Sequence, residues 1–220
     1  MQRKIFFLFL FLLAFVSLTF AQDATPSPTT VKKINQRPTA KTPKEPFDNA
    51  DVKTMSASCV KLETESGVIE LEMFPESAPE TVRNFLNLVA TKFYDTTMFS
   101  RIVPDFVVQG GNFFTRLQKP TELYERSKRT VPDEPNLIKH ERGIVSMARG
   151  DEPNTASTHF FILVGEGKHL DGKFAAFGRV TKGMDVVDAI NKMPVEGDKP
   201  TKPVRLLKAI VVTCLVKTEN

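Results

Sequence analysis

The chain has 220 residues, 41% hydrophobic and 25% charged, which excludes a wholly disordered or collagen-like protein and leaves room for one ordinary domain or two small ones. Two cysteines are too few for a disulfide-framework miniprotein or a cysteine-rich zinc module, and the three histidines do not cluster in sequence. Basic side chains number 30 and acidic ones 26, so the chain carries a small positive excess whose location matters more than its size.

At the start, Arg3 and Lys4 precede an unbroken apolar run from Ile5 to Val16, and Ser17-Leu18-Thr19-Phe20-Ala21 follows. A charged start, a short apolar run and a small closing residue predict a secretory signal peptide over residues 1–21, cut after Ala21. The rival reading is an uncleaved membrane anchor, but the apolar stretch falls short of the roughly 20 residues that span a bilayer. Residues 22–58 hold five of the 15 prolines, with threonines, scattered lysines and no apolar periodicity. They predict a disordered, extended linker, because such a segment buries too little surface to offset its ordering entropy. The leader carries two basic groups, and the linker six basic and four acidic; the remaining 22 of each sign balance over residues 59–220. A neutral domain gives no support to nucleic-acid binding.

Residues 59–220 read as one domain, and no internal repeat points to a solenoid or propeller. Val60–Thr64 and Val68–Phe74 alternate apolar and polar residues around Glu65-Ser66-Gly67, the pattern of a β-hairpin. Pro79–Ala90 predicts a helix: Pro79 suits its first turn, Glu80 its positive end, and Val82, Phe85, Leu86 and Val89 recur at helical spacing. Short apolar runs follow at Met98–Val103, Phe106–Val108, Gly143–Met147, Phe160–Val164 and Phe174–Val180. A second helix is predicted at Met184–Lys192 and a last strand at Val204–Val216. Many short strands close in sequence, with two isolated helices, predict a mainly β antiparallel barrel or sandwich whose open ends the helices cover.

The usual catalytic sets are missing: no Gly-x-Ser-x-Gly elbow, no phosphate loop and no His-Glu-x-x-His. One stretch stands out, Phe99-Ser100-Arg101-Ile102-Val103-Pro104-Asp105-Phe106-Val107-Val108-Gln109-Gly110-Gly111-Asn112, in which an arginine and a glutamine lie eight residues apart among apolar residues. Singly, Arg101 reads as an edge-strand surface charge and Phe106 as core. Together they do not, because the stretch resembles the cyclophilin family of peptidyl-prolyl cis/trans isomerases. The resemblance continues through Ala78–Phe85, Gly143–Arg149, Pro153–Ile162 and Leu170–Val180, in family order over residues 60–213.

The resemblance implies an eight-stranded antiparallel β-barrel capped by two α-helices. It implies Arg101 and Gln109 as catalytic residues, and Phe106, Val107, Ala148, Phe161 and Leu170 as substrate-binding ones. Four further binding positions carry changed residues. Arg149 stands where asparagine is common, His159 where glutamine is usual, His169 where some members have tryptophan, and Phe174 where some have histidine. Val107 stands where methionine is frequent. The implied reaction rotates an X–Pro bond against a barrier of roughly 18–20 kcal/mol and breaks no bond, so no metal or other cofactor is expected. The expected partners are proline-containing peptides and unfolded exported proteins, handled by a monomer in the periplasm or outside the cell. A membrane enters only if the leader stays uncleaved. An isomerase that assists folding in the cell envelope is the expected function. A cyclophilin-shaped chaperone or binding module with little turnover is the alternative, kept open by His159 and His169. If His159 lies beside Arg101, as the matching glutamine does in the family, that positive charge should keep its ring neutral. The family barrel also makes the strands bearing Cys59 and Cys214 antiparallel neighbours, so a disulfide and two buried free thiols both remain open.

Overall fold

The computed structural model describes residues 43–214. The predicted signal peptide, residues 22–42 of the predicted linker and the end of the predicted last strand lie outside the described residues.

In chain order come α1 (Val52–Ser56), the hairpin β1 (Ser58–Thr64) and β2 (Gly67–Met73), α2 (Pro79–Ala90), and the hairpin β3 (Arg101–Val103) and β4 (Val107–Gly110). There follow α3 (Thr121–Ser127), β5 (Ile144–Met147), β6 (Phe160–Leu163), β7 (Ala176–Lys182), α4 (Met184–Asn191), the two-residue strands β8 (Val195–Glu196) and β9 (Lys199–Pro200), and β10 (Leu206–Thr213). The eight longer strands form one sheet in the order β10-β1-β2-β7-β5-β6-β4-β3, antiparallel at every step. The sheet curls until its two edges meet. Met98, ahead of β3, bridges Arg205, ahead of β10, and the backbone bonds Phe99 N–H to Val204 O (3.0 Å) and Leu206 N–H to Thr97 O (2.8 Å) close the seam. Joining the edges removes exposed strand N–H and C=O groups there.

The helix at 79–90 forms where its spacing places it. Ala78 offers no side-chain cap; instead the Glu134 carboxylate accepts from Glu80 N–H (3.0 Å) and Thr81 N–H (2.7 Å), satisfying two orphan donors and facing the positive end of the helix. Phe85 carries the helix into the core, its ring centroid 4.9 Å from Phe177 and 5.3 Å from both Tyr94 and Phe160. Each such aromatic pair adds about 0.5–1.5 kcal/mol beyond its buried area.

Residues 43–57, the last part of the predicted linker, fold onto α2, and the compact unit begins at Pro43 rather than residue 59. Beside Phe47 and Ala50, which pack against the core, the attachment is largely polar, which is why apolar periodicity does not reveal it. Arg83 donates to Phe47 O (2.8 Å) and Ala50 O (2.6 Å), and Asn87 accepts from Phe47 N–H (2.7 Å) and donates to Asp48 Oδ1 (2.9 Å). Arg126 on α3 meets Glu45 at 2.5 Å with both side chains nearly buried. Asp51 caps α1 by accepting from Thr54 N–H, and Met55, fully buried, is the one apolar anchor of this short helix.

Cys59 at the start of β1 and Cys214 just past β10 are joined by a disulfide, with Cα atoms 4.9 Å apart at a sequence separation of 155. Closing so long a loop restricts the unfolded chain. Thiol titration of the unreduced, unfolded protein should therefore find no free thiol from this pair. Cys59→Ser should lower the unfolding free energy by about 2–5 kcal/mol in a urea titration, and an unchanged midpoint would mean the bridge contributes nothing.

Candidate active site

The pleat of β6 divides the protein into two apolar regions. Phe160 and Ile162 point into the main core, while Phe161 and Leu163 point outward into a separate cluster with Val107 and Leu170. Its neighbour β4 alternates likewise: Val108 faces the core, and Val107 faces the outer cluster. Register then aligns the site. Arg101 on β3 pairs with Gln109 on β4, and Gln109 pairs with Phe161 on β6. Directly paired residues of antiparallel strands share a face, so these three side chains form one row across the outside of the barrel.

That row borders a cleft of about 180 Å³. Its apolar walls are Phe106, Val107, Phe161, Leu170 and Phe174; Ala148 and Arg149 close one side, and Arg101 and Gln109 supply the polar edge. Phe174 stands edge-on to Phe161, centroids 6.2 Å apart at 74°. The structure thus brings together nine of the eleven residues singled out in the sequence. His169 and His159 are the two outside. His169 is exposed and tilts against the back of Phe106, ring centroids 5.3 Å apart. His159 immediately precedes β6 and borders an adjoining depression with Gly150 and Thr155, which shares Gln109, Ala148 and Arg149 with the cleft.

Each wall is braced from below. The β3–β4 turn puts Asp105 in the left-handed region (φ 58°), a conformation aspartate tolerates. Buried Asn191 at the end of α4 holds that turn, accepting from Asp105 N–H (2.9 Å) and donating to Val103 O (3.0 Å) and Val107 O (3.2 Å). Val164 N–H donates to Phe106 O (2.8 Å), fixing the backbone behind the ring. On the opposite wall, His140 lies between Asp171 (Nδ1 to Oδ1, 3.2 Å) and Ser146 (Nε2 to Oγ, 3.0 Å). These are the residue types of a nucleophilic triad, but Ser146 is fully buried and its hydroxyl donates to Ala175 O at 2.9 Å. The set is a brace that ties Leu170-Asp171 and Phe174-Ala175 to β5. No local pattern in the sequence marks His140 or Asn191, because their partners lie on other elements.

Arg101 is half exposed. Its Nε donates to Asp198 Oδ2 at 2.7 Å, and its Nη1 to Gln109 Oε1 at 3.4 Å. The guanidinium hydrogen bond and charge hold the Asp198 carboxyl below its ordinary range. Asp198 was also missed in the sequence: it sits in an unpatterned stretch between the second helix and the last strand. Arg149 places its guanidinium 5.1 Å over the Phe174 ring, with Nε 3.4 Å from Asp133 and Nη1 donating to Gly150 O and Asp151 O. Burial pushes the His159 pKa below its ordinary 6.5. The expected cause, the Arg101 charge, does not act on it; desolvation alone does. Among the described residues no group of three or more His, Cys, Asp or Glu side chains is placed to hold a metal ion.

Comparison with known proteins places this geometry. The family model described as cyclophilin type peptidyl-prolyl cis-trans isomerase/CLD matches residues 59–211. A peptidyl-prolyl cis-trans isomerase of Acinetobacter baylyi is 34% identical over 164 residues, covering 70% of this chain and 85% of that protein. One from Arabidopsis thaliana is 40% identical over 156 residues, covering 70% and 93%. The crystal structure of a Cryptosporidium parvum cyclophilin type peptidyl-prolyl cis-trans isomerase, obtained in the presence of the dipeptide Ala-Pro, superposes with a TM-score of 0.62 at 27% identity, covering 71% of this chain and 99% of that one. The chain belongs to the cyclophilin-type peptidyl-prolyl cis-trans isomerases.

A neutral, half-buried His159 has a consequence for stability. Its folded pKa lies below 6.5, so the unfolded chain binds the proton more readily. Its contribution to stability is therefore complete above about pH 6.5 and is lost as pH falls through the lower folded value. Urea unfolding should give a smaller free energy at about pH 5.5 than at about pH 7.5, and His159→Gln should make that slope shallower. An identical slope in the variant would show that partial burial does not lower the His159 pKa.

Proposed function

We propose that this cyclophilin accelerates rotation about X–Pro bonds in exported proteins as they fold, with the proline ring seated in the outer cleft and Arg101 acting on the prolyl amide. The register row of Arg101, Gln109 and Phe161 carries the reading, because it sets a cation and an amide beside an apolar pocket. Phe106, Phe161 and Leu170 suit a pyrrolidine ring, which is apolar and compact. In the twisted state the prolyl nitrogen loses conjugation and pyramidalises, and its lone pair can then accept a hydrogen bond that the planar amide nitrogen cannot. A donor placed where that lone pair develops stabilises the transition state and neither planar isomer, so it raises the rate in both directions. The guanidinium supplies this donor. Gln109 steadies it through Oε1 and keeps its own N–H₂ for a substrate carbonyl.

The charged start and apolar run of the leader support export, and the Cys59–Cys214 bridge suits an oxidising compartment.

A protease-coupled proline-peptide assay tests the chemistry. Arg101→Ala should reduce kcat/KM by about 10²–10³-fold, the effect of removing one preorganised donor, while leaving the thermal midpoint near that of the unmodified protein. Activity that survives the substitution would reject Arg101 as the donor. Export has its own measurement: the intact mass of the protein recovered from the extracytoplasmic fraction should correspond to a chain starting at Gln22. A mass retaining the leader in a membrane fraction would favour the anchor instead.

A further inference from the structure

We infer that Asp198 is a positioning residue for the isomerase reaction, holding the Arg101 guanidinium by its Nε edge so that the remaining N–H groups are presented to the cleft. The inference rests on the role given to Arg101 above and adds a residue from a different part of the chain.

Arg101 needs an external hold. It begins a three-residue strand at the edge of the sheet, and its side chain is 44% exposed, so packing does not fix its rotamer. Gln109 Oε1, at 3.4 Å, is longer than the 2.7–2.9 Å usual for a charge-assisted bond and is a weak tether by itself. Asp198 Oδ2, at 2.7 Å from Nε, is the short contact.

The carboxylate is delivered by backbone rather than by chance proximity. Asp198 lies in the turn between β8 and β9, made tight by Gly197 at φ 65°. Its carbonyl accepts from Ile102 N–H at 2.8 Å, so the turn is pinned to the residue next to Arg101 on the side of β3 away from β4. From a backbone held there, a side chain with two rotatable bonds reaches Nε. A guanidinium has five N–H donors in a planar fork. Asp198 takes the one on Nε and Gln109 takes one on Nη1, which leaves three, one on Nη1 and two on Nη2, on a side chain that lines the cleft.

Exposed ion pairs contribute little to stability, and this one is half exposed on both sides, so stabilising the fold is a poor account of it. Orientation is a better one, because displacing a catalytic group by about 1 Å can cost roughly 10²-fold in rate. Asp198 shares the task with Gln109, so its loss should cost less than that.

The test uses the full chain. Asp198→Ala should lower kcat about tenfold, with KM, the Kd for a proline peptide and the thermal midpoint unchanged, since only the twisted state needs the oriented donor. Asp198→Asn keeps a neutral acceptor for Nε–H and should fall between the two, about threefold down. In an NMR spectrum the Arg101 Nε–H resonance should be protected from exchange in the unmodified protein and lose protection in Asp198→Ala. Unchanged kcat in Asp198→Ala would overturn the inference, and so would a loss matched by weaker peptide binding or a lower midpoint. If the unmodified chain shows no turnover, the functional reading itself fails; the Nε–H resonance then still reports whether Asp198 holds Arg101.

Discussion

Everything at the cleft depends on the pairing register of β4 with β6. Gln109 opposite Phe161 aligns the polar edge with the apolar wall, and Gln109 opposite Arg101 extends the same row to the cation. Strand side chains alternate with period two, so a slip of β6 by one residue against β4 would turn Phe161 inward, away from Gln109, and send Phe160 out. The main core forbids that slip. Phe160 and Ile162 are fully buried among the aromatic groups that Phe85 organises, and exposing them would cost about 1.5–3 kcal/mol each. The inner face of the barrel thus guarantees the geometry of the outer one.

Polar groups complete what register begins. Asn191, His140 and Ser146 are buried and each joins elements far apart in sequence. A buried polar group left unpaired costs about 1–3 kcal/mol, so each such bond favours a single arrangement of the loop it holds. Through them α4 governs the turn that carries Phe106, and β5 governs the segment that carries Leu170 and Phe174. The cleft is small and open, yet four separate stretches of chain reach it in fixed positions.

The ends of the described chain are also tied down. Glu45 lies against Arg126, whose Nη2 donates to Asn84 at 2.8 Å, and the disulfide fastens the region after β10 to β1. Burying such an ion pair costs desolvation, and one Arg126 nitrogen, Nη1, has no protein partner. Breaking it would leave a buried charge uncompensated, so the pair makes the attachment of residues 43–57 all-or-none rather than strong.

The sequence by itself determined the eight strands of the main sheet, both longer helices and the candidate cleft residues, because each leaves a local signal. Alternation marks Ile69, Leu71 and Met73; helical spacing marks Val82, Phe85, Leu86 and Val89; and the run from Phe99 to Asn112 carries its family's pattern in one stretch. Tertiary structure alone decided what those residues touch. Asp198 reaches Arg101 across 97 positions, and Asn191 reaches Val103 across 88, and no periodicity or spacing encodes a partner at such a range. The fold of residues 43–57 is hidden for a related reason: its polar contacts lie on α2 and α3, and in the sequence the same residues read as a solvated linker. His159 shows a second kind of limit. Its residue type and place in the motif are legible, but partial burial lowers its pKa, and burial belongs to the folded chain and not to any segment of it.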